Sequence, residues 1–302
     1  MVNLKVFGSM VIVVAAVLVV ALSSLAANDE ADQVSSSFAV DQVSSSSAIG
    51  GVERILPEVD ISGGGSEEVE FSGDHLPLMV RWSNWRPEFG PAYVYARERD
   101  LSGMLDLNAP VEKMLMVTSY DEVQRLMGQA DQLKAAGVTT VGFNSENGTG
   151  MTPGNEMQTL NSADPDVNVV ARAAKLAKEN GFKIMWGPVR RTVDTLSDDA
   201  VRTMIGAGVT GLAIQEQKFI ENQRAATRLS AVQQTRERYL RLAQQEGVED
   251  FTFHVQIMQQ RCPDLPNCVT FVEGLEAMPV DSIAIWSNGP IPVDFVNAIR
   301  ME

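Results

Sequence analysis

Two carboxylates in this chain stand where an apolar run gives way to polar residues. Glu146 closes the stretch Val138 to Asn147 (V-T-T-V-G-F-N-S-E-N), and Glu216 sits in Gln215-Glu216-Gln217, directly after Leu212-Ala213-Ile214. A carboxylate pair flanking a glycosidic bond, one acting as acid and the other as nucleophile or base, is what sugar hydrolysis requires. Glu156 and Asp194 are weaker partners for such a pair, being placed on loops. Around the two acids the sequence offers Arg81, Asn144, Gln215, Gln217, His254, Gln256 and Asn288, together with Trp286. Amides and a guanidinium suit hydroxyls that need both donors and acceptors, and an indole stacks on the C–H face of a sugar. Trp82 and Trp186 also fall at the ends of apolar runs and Trp85 just beyond one, which adds to the expectation of a carbohydrate or other small polar ligand.

Other chemistries lack their motifs. His75 and His254 are the only histidines and no H-E-x-x-H or H-x-H occurs, so no metal site is expected. No G-x-S-x-G elbow presents a serine, and no G-x-G-x-x-G follows a strand pattern, so neither a serine nucleophile nor a dinucleotide cofactor is expected. Lys183 begins a strand pattern rather than ending one, the wrong end for a Schiff base in a parallel fold. A net charge of -15 without a dense Lys/Arg cluster argues against nucleic acid as a partner, because phosphates need a basic face.

The elements that must position these residues follow from periodicity. Seven strand patterns are legible, at Leu78–Trp82, Met114–Thr118, Thr140–Asn144, Lys183–Gly187, Gly211–Gln215, Thr252–Ile257 and Ser282–Trp286. Helical patterns fall between most of them, opened by Ser119/Asp121, Asp166, Ser197, Phe219 and Val293. Ala135-Ala136-Gly137-Val138 and Gly206-Ala207-Gly208-Val209 each end a helix on Gly and enter a strand within two or three residues. Short αβ loops on one side and longer polar βα loops on the other resemble the TIM-barrel (β/α)8 superfamily over residues 76–302, with Ala92–Ala96 the candidate for an eighth strand. The resemblance is architectural and distantly glycoside-hydrolase-like. Many barrel glycosidases carry a Glu directly after an Asn, whereas this chain reads Asn144-Ser145-Glu146. An open doubly wound α/β sheet is the alternative.

Alternation along the strands then sorts the side chains. Phe253, Val255 and Ile257 are apolar and should meet helices, which turns His254 and Gln256 inward. The same rule sends Arg81, Thr118, Asn144, Glu146, Gln215, Gln217, Trp286 and Asn288 inward. Glu216 shares the parity of Leu212 and Ile214 and points away from the axis unless the strand has ended before it. Lys183–Gly187 is not sorted, because Trp186 shares parity with Ile184. Polar groups left unpaired in a closed core cost roughly 1 to 3 kcal/mol each, so such a set must bond internally as a packed layer or face a wet mouth. Function collects at the carboxyl ends of the strands in such barrels, which favours the mouth.

The rest of the chain concerns delivery. Lys5, the apolar run Met10 to Leu22 and the small residues before Asn28 read as a signal peptide over 1–27, or as an uncleaved membrane anchor; the protein is then secreted or extracytoplasmic. Residues 28–75 carry a duplicated Asp-Gln-Val-Ser-Ser-Ser, a Ser-Gly run and acidic residues, the composition of a disordered linker. Cys262 and Cys268, the only cysteines, are expected to form a local disulfide in an exported chain. The expectation is therefore an exported barrel on a tether, either a glycoside hydrolase using Glu146 and Glu216 or a non-catalytic glycan-binding or interaction module.

Overall fold

The computed structural model describes residues 75–146, 151–217, 224–262 and 264–300. The N-terminal segment, all of the tether but His75, and the start of the helical pattern at Phe219 lie outside those residues. Eight parallel strands close on themselves in sequence order: β1 (Leu78–Arg81), β2 (Ala92–Arg97), β3 (Val111–Val117), β4 (Val138–Ser145), β5 (Lys183–Pro188), β6 (Val209–Gln215), β7 (Thr252–Met258) and β8 (Ser282–Trp286), with β8 pairing back to β1. The helices are α1 (Leu101–Leu105), α2 (Tyr120–Met127), α3 (Ala130–Ala135), α4 (Gly154–Met157), α5 (Val169–Glu179), α6 (Arg190–Thr195), α7 (Asp198–Ala207), α8 (Ala225–Gln245), α9 (Leu265–Glu276) and α10 (Val293–Arg300). This is a (β/α)8 TIM-type barrel. The eighth strand is β2, and the open-sheet alternative falls with closure of the ring.

Local sequence explains where the helices start and stop. Ser119 accepts from the Glu122 backbone N–H at 3.2 Å to open α2, and Ser197 caps α7 through Ala200 in the same way at 3.2 Å. The helix expected from Asp166 begins later, at Val169, because buried Asn168 takes the N–H groups of Val170 and Ala171 at 3.0 and 3.1 Å. Gly137 (φ 83°) and Gly208 (φ 127°) turn the chain from helix into β4 and β6, at angles where a Cβ would be strained.

Two apolar layers follow from strand alternation. Outward residues such as Val80, Val94, Val141, Leu212, Phe253 and Val255 are fully buried against the helices. Inside the ring lies a second cluster of Met79, Tyr95, Met114, Met185, Ala213 and Ala284. The unsorted strand β5 is thereby resolved, with Met185 inward and Ile184 and Trp186 outward. Unbranched thioethers adapt to an irregular barrel interior, which suits three methionines at this level. Cys262 and Cys268 are disulfide-bonded with Cα atoms 5.9 Å apart, between β7 and the first turn of α9. No helix among the described residues is long and apolar enough to cross a membrane.

Candidate functional site

The polar residues concentrate at the carboxyl-terminal rim, above the methionine layer. Asn144, two residues beyond inward Gly142 on β4, donates from Nδ2 to Glu146 Oε1 at 3.1 Å. Its Oδ1 accepts from Gln215 Nε2 at 2.8 Å across the top of β5, and the same nitrogen reaches the Gly187 carbonyl at 3.1 Å. Glu146 itself is held by Thr152, which is buried at the end of the β4–α4 loop. The Thr152 hydroxyl donates to Asn144 O at 2.9 Å, and its backbone N–H donates to Glu146 O at 3.1 Å. Gly142 and Gly187 place no side chain on the inner face, and at Gly142 that space is taken up by methionine thioethers from β3. A Cβ at Gly142 would come within 2.9 Å of Met114 Sδ.

The part of the mouth formed by β1, β2 and β8 is cationic and aromatic. Tyr95 stacks on Trp286 with ring centroids 6.5 Å apart and planes 6° from parallel. Burial raises the Tyr95 phenol above its ordinary value, while the charges of Arg81 and Arg97 pull it down and that of Glu146 pushes it up, so all three charged groups surround this one hydroxyl. Arg81 is paired with Asp100. Arg97 has no carboxylate partner among the described residues, and its one hydrogen bond runs from Nη2 to the thioether of Met151 at 3.7 Å. Among the described residues no group of three His, Cys, Asp or Glu side chains could hold a metal ion.

Several residues expected at the site stand elsewhere. His254 faces inward but one layer deeper, fully buried, with Nδ1 2.7 Å from Ser282 Oγ and its ring edge-on to Tyr93. Burial lowers its pKa to about 3, so it is a neutral core imidazole. Thr118 serves the start of α2, where Glu122 Oε2 accepts from its N–H at 2.6 Å and from its hydroxyl at 3.1 Å. Gln256 is half-buried in register with Gln215 and Ala284, Gln217 is half-buried just past β6, and Asn288 is exposed beyond β8. Glu216 points outward, as its parity requires. It is 1% exposed, and Arg190 Nη1 donates to its Oε1 at 2.7 Å.

Three of the four tryptophans also leave the mouth. Trp82 packs over Gly103 of α1, Trp85 donates to Gly90 O at 3.2 Å, and Trp186 donates to Ser145 Oγ at 2.8 Å from the helix side of the wall. All three belong to the outer apolar layer. Tyr95 and Arg97 were missed in their place. The alternation Tyr93-Val94-Tyr95-Ala96-Arg97, with small apolar residues at every second position, is the signal that could have found them.

No protein-family model matches the chain, and no curated protein matches it. Solved structures do match. A candidate phosphonomutase from Burkholderia cenocepacia J2315 is 13% identical with a TM-score of 0.41, over 75% of this chain and 90% of that one. Oxaloacetate acetylhydrolase with the inhibitor 3,3-difluorooxalacetate is 9% identical with a TM-score of 0.43, over 70% and 75%. A single-substitution variant of mandelate oxidase with 4-Br-2-hydroxy-methylphenylacetate is 9% identical with a TM-score of 0.37, over 74% and 67%. None of the three is a glycosidase. Likeness at this level assigns neither family nor substrate to this chain.

The expectation of a carbohydrate-active barrel is overturned. Its second carboxylate, Glu216, is buried behind the wall in an ion pair, and its aromatic platforms are structural except for Trp286. Asp100, another carboxylate tied to the rim, is spent on Arg81, so among the described residues the mouth lacks the free carboxylate pair on which both halves of a glycosidase mechanism depend.

Proposed function

We propose that the carboxyl-terminal mouth of this barrel binds a small organic anion, with Arg97 as its counter-charge. The observation that carries the reading is the contrast between two neighbouring guanidinium groups. Arg81 is neutralised by Asp100, whereas half-buried Arg97 has no carboxylate partner among the described residues and donates to a thioether. A partly desolvated guanidinium is costly without an anion, and its planar fork of donors suits a carboxylate or phosphoryl group held by two parallel hydrogen bonds. Tyr95 and Trp286 supply a flat apolar wall for the body of the ligand, and the methionine layer beneath can adapt to its shape. The reading also takes the protein to be exported, supported by the apolar run Met10 to Leu22 and the Cys262–Cys268 bond.

The test is calorimetric titration of the full chain with a panel of aryl and alkyl monocarboxylates and phosphate monoesters, repeated on Arg97→Gln. At least one anion should bind, and the variant should weaken it roughly tenfold or more, the worth of a charge-assisted hydrogen-bond pair. Equal binding to the variant, or no anion bound at millimolar concentration, overturns the reading.

A further inference from the structure

The hydrogen-bond chain across the β4–β6 side of the mouth has a fixed direction. The Glu146 carboxylate can only accept, so the Asn144 amide must turn its nitrogen toward Glu146 and its oxygen toward Gln215. Gln215 then gives its amide nitrogen to Asn144 Oδ1 and Gly187 O, which leaves its Oε1 without a protein donor among the described residues. The second oxygen of Glu146 is likewise unclaimed among them. Among the described residues the Glu146–Gln215 edge of the mouth therefore presents unclaimed acceptors, with the half-buried Gln256 amide beside it, while Arg97 presents guanidinium donors beside the Tyr95 hydroxyl.

The charges follow the same division. With Arg81 and Asp100 cancelling each other, the described residues leave Arg97 and Glu146 as the charged groups of the mouth, and the only side-chain partner of Glu146 among them is a neutral amide. A simple anion satisfies Arg97 but leaves Glu146 and Gln215 Oε1 facing it with lone pairs, a repulsive arrangement. Arg97 binds Met151, the neighbour of the Thr152 that holds Glu146, so a ligand that matches both groups carries a negative group and a positive, proton-rich group close together. We infer that the ligand is a zwitterion of the amino-acid class, its carboxylate on Arg97, its ammonium on Glu146 and Gln215, and its side chain against the Tyr95–Trp286 stack. The inference rests on the anion-binding reading above and sharpens it.

Four ligands that differ by one group separate the two ideas, using the full chain and calorimetry: phenylalanine, 3-phenyllactate with a hydroxyl in place of the ammonium, 3-phenylpropionate with neither, and phenethylamine without the carboxylate. The remaining standard amino acids are titrated alongside, so that side-chain preference does not decide the result. The best amino acid should bind roughly tenfold or more tightly than its deaminated analogue, the yield expected of one hydrogen bond between charged groups. Glu146→Gln should remove that advantage by weakening the amino acid while the deaminated acid, relieved of a repulsive carboxylate, binds as tightly as before or more tightly. If the deaminated acid binds as well as the amino acid, in an Arg97-dependent way, the zwitterion inference fails and the anion reading stands. A preference for the hydroxy acid over the amino acid also overturns the inference. If no amino acid and no carboxylate binds at millimolar concentration, both fall.

Discussion

Arg190 Nη1 and Glu216 Oε1 meet at 2.7 Å on the helix side of the barrel wall, where Arg190 also reaches Ala231 O of α8 at 3.1 Å. Strand β6 ends at Gln215, so two successive residues take opposite faces: Gln215 joins the mouth and Glu216 joins the scaffold. Burial pushes the Glu216 carboxyl up to about 7 while Arg190 pulls against that shift. Removing one member of a buried pair typically costs about 3 to 5 kcal/mol where the other is stranded, but Arg190 keeps Asp194 at 3.0 Å, so the loss here should be about 1 to 3 kcal/mol. Glu216→Ala should therefore lower the unfolding free energy from urea melts by that much. Glu216→Met combined with Arg190→Met should recover part of the loss. A Glu216→Ala protein as stable as the parent would show that the pair contributes little.

His254 sets a pH dependence whose sign can be worked out. Its ring is fully buried, Nε2 has no partner among the described residues, and burial lowers its pKa from 6.5 to about 3. Below pH 6.5 the unfolded chain takes up a proton that the folded chain refuses. The contribution is therefore whole above pH 6.5 and is lost as pH falls toward 3. Between pH 7 and pH 4 this one group should cost about 3 kcal/mol. Urea melts of the parent and of His254→Gln at both pH values check it, because other acid-labile groups cancel in the comparison. Equal losses in the two proteins would remove His254 from the account.

Gly103 of α1 lies against the Trp82 ring, and a Cβ there would come within 2.4 Å of its edge. Trp82 is hemmed in by the outer apolar layer, so the ring cannot move away freely. Gly103→Ala should destabilise by about 1 to 3 kcal/mol through overpacking, read as a lowered thermal midpoint. Trp82→Phe in the Gly103→Ala background should relieve it.

How much of this was legible before the structure divides along physical lines. Helix stops at Gly137 and Gly208 and the two-residue alternation are local properties, so the parallel barrel and the inward parity of Asn144, Gln215 and Trp286 could be read from the chain. Alternation says which side of a strand a residue takes, but not how deep along the barrel it sits. His254 and Gln256 share a face, yet register pairs His254 with Ala213 and Ser282, one layer below Gln256 with Gln215 and Ala284. The tryptophans misled for a related reason. Trp186 lies on the outer side of β5, two residues before its end, and a large aromatic there packs under helices as readily as it lines a mouth. Alternation turns Arg97 inward but does not set it apart from Arg81, because what distinguishes the two is the lack of a carboxylate partner for Arg97 among the described residues, a fact of three-dimensional arrangement.

Asn144 offers the sharpest separation between a structural and a binding role for the amide chain. It bridges Glu146 and Gln215 at 3.1 and 2.8 Å, so Asn144→Leu, close in volume, releases both at once. Gln215 keeps its bond to Gly187 O and Glu146 keeps its backbone bond from Thr152, which should hold the stability loss to about 1 to 2 kcal/mol. With its carboxylate no longer aimed, Glu146 should lose its hold on a ligand's ammonium group, and the affinity for the preferred amino acid should fall about tenfold. The affinity for the deaminated acid, held by Arg97, should not fall. Equal losses for both ligands would mean that the substitution deforms the whole rim, and the amide chain would then be scaffold rather than part of the recognition surface.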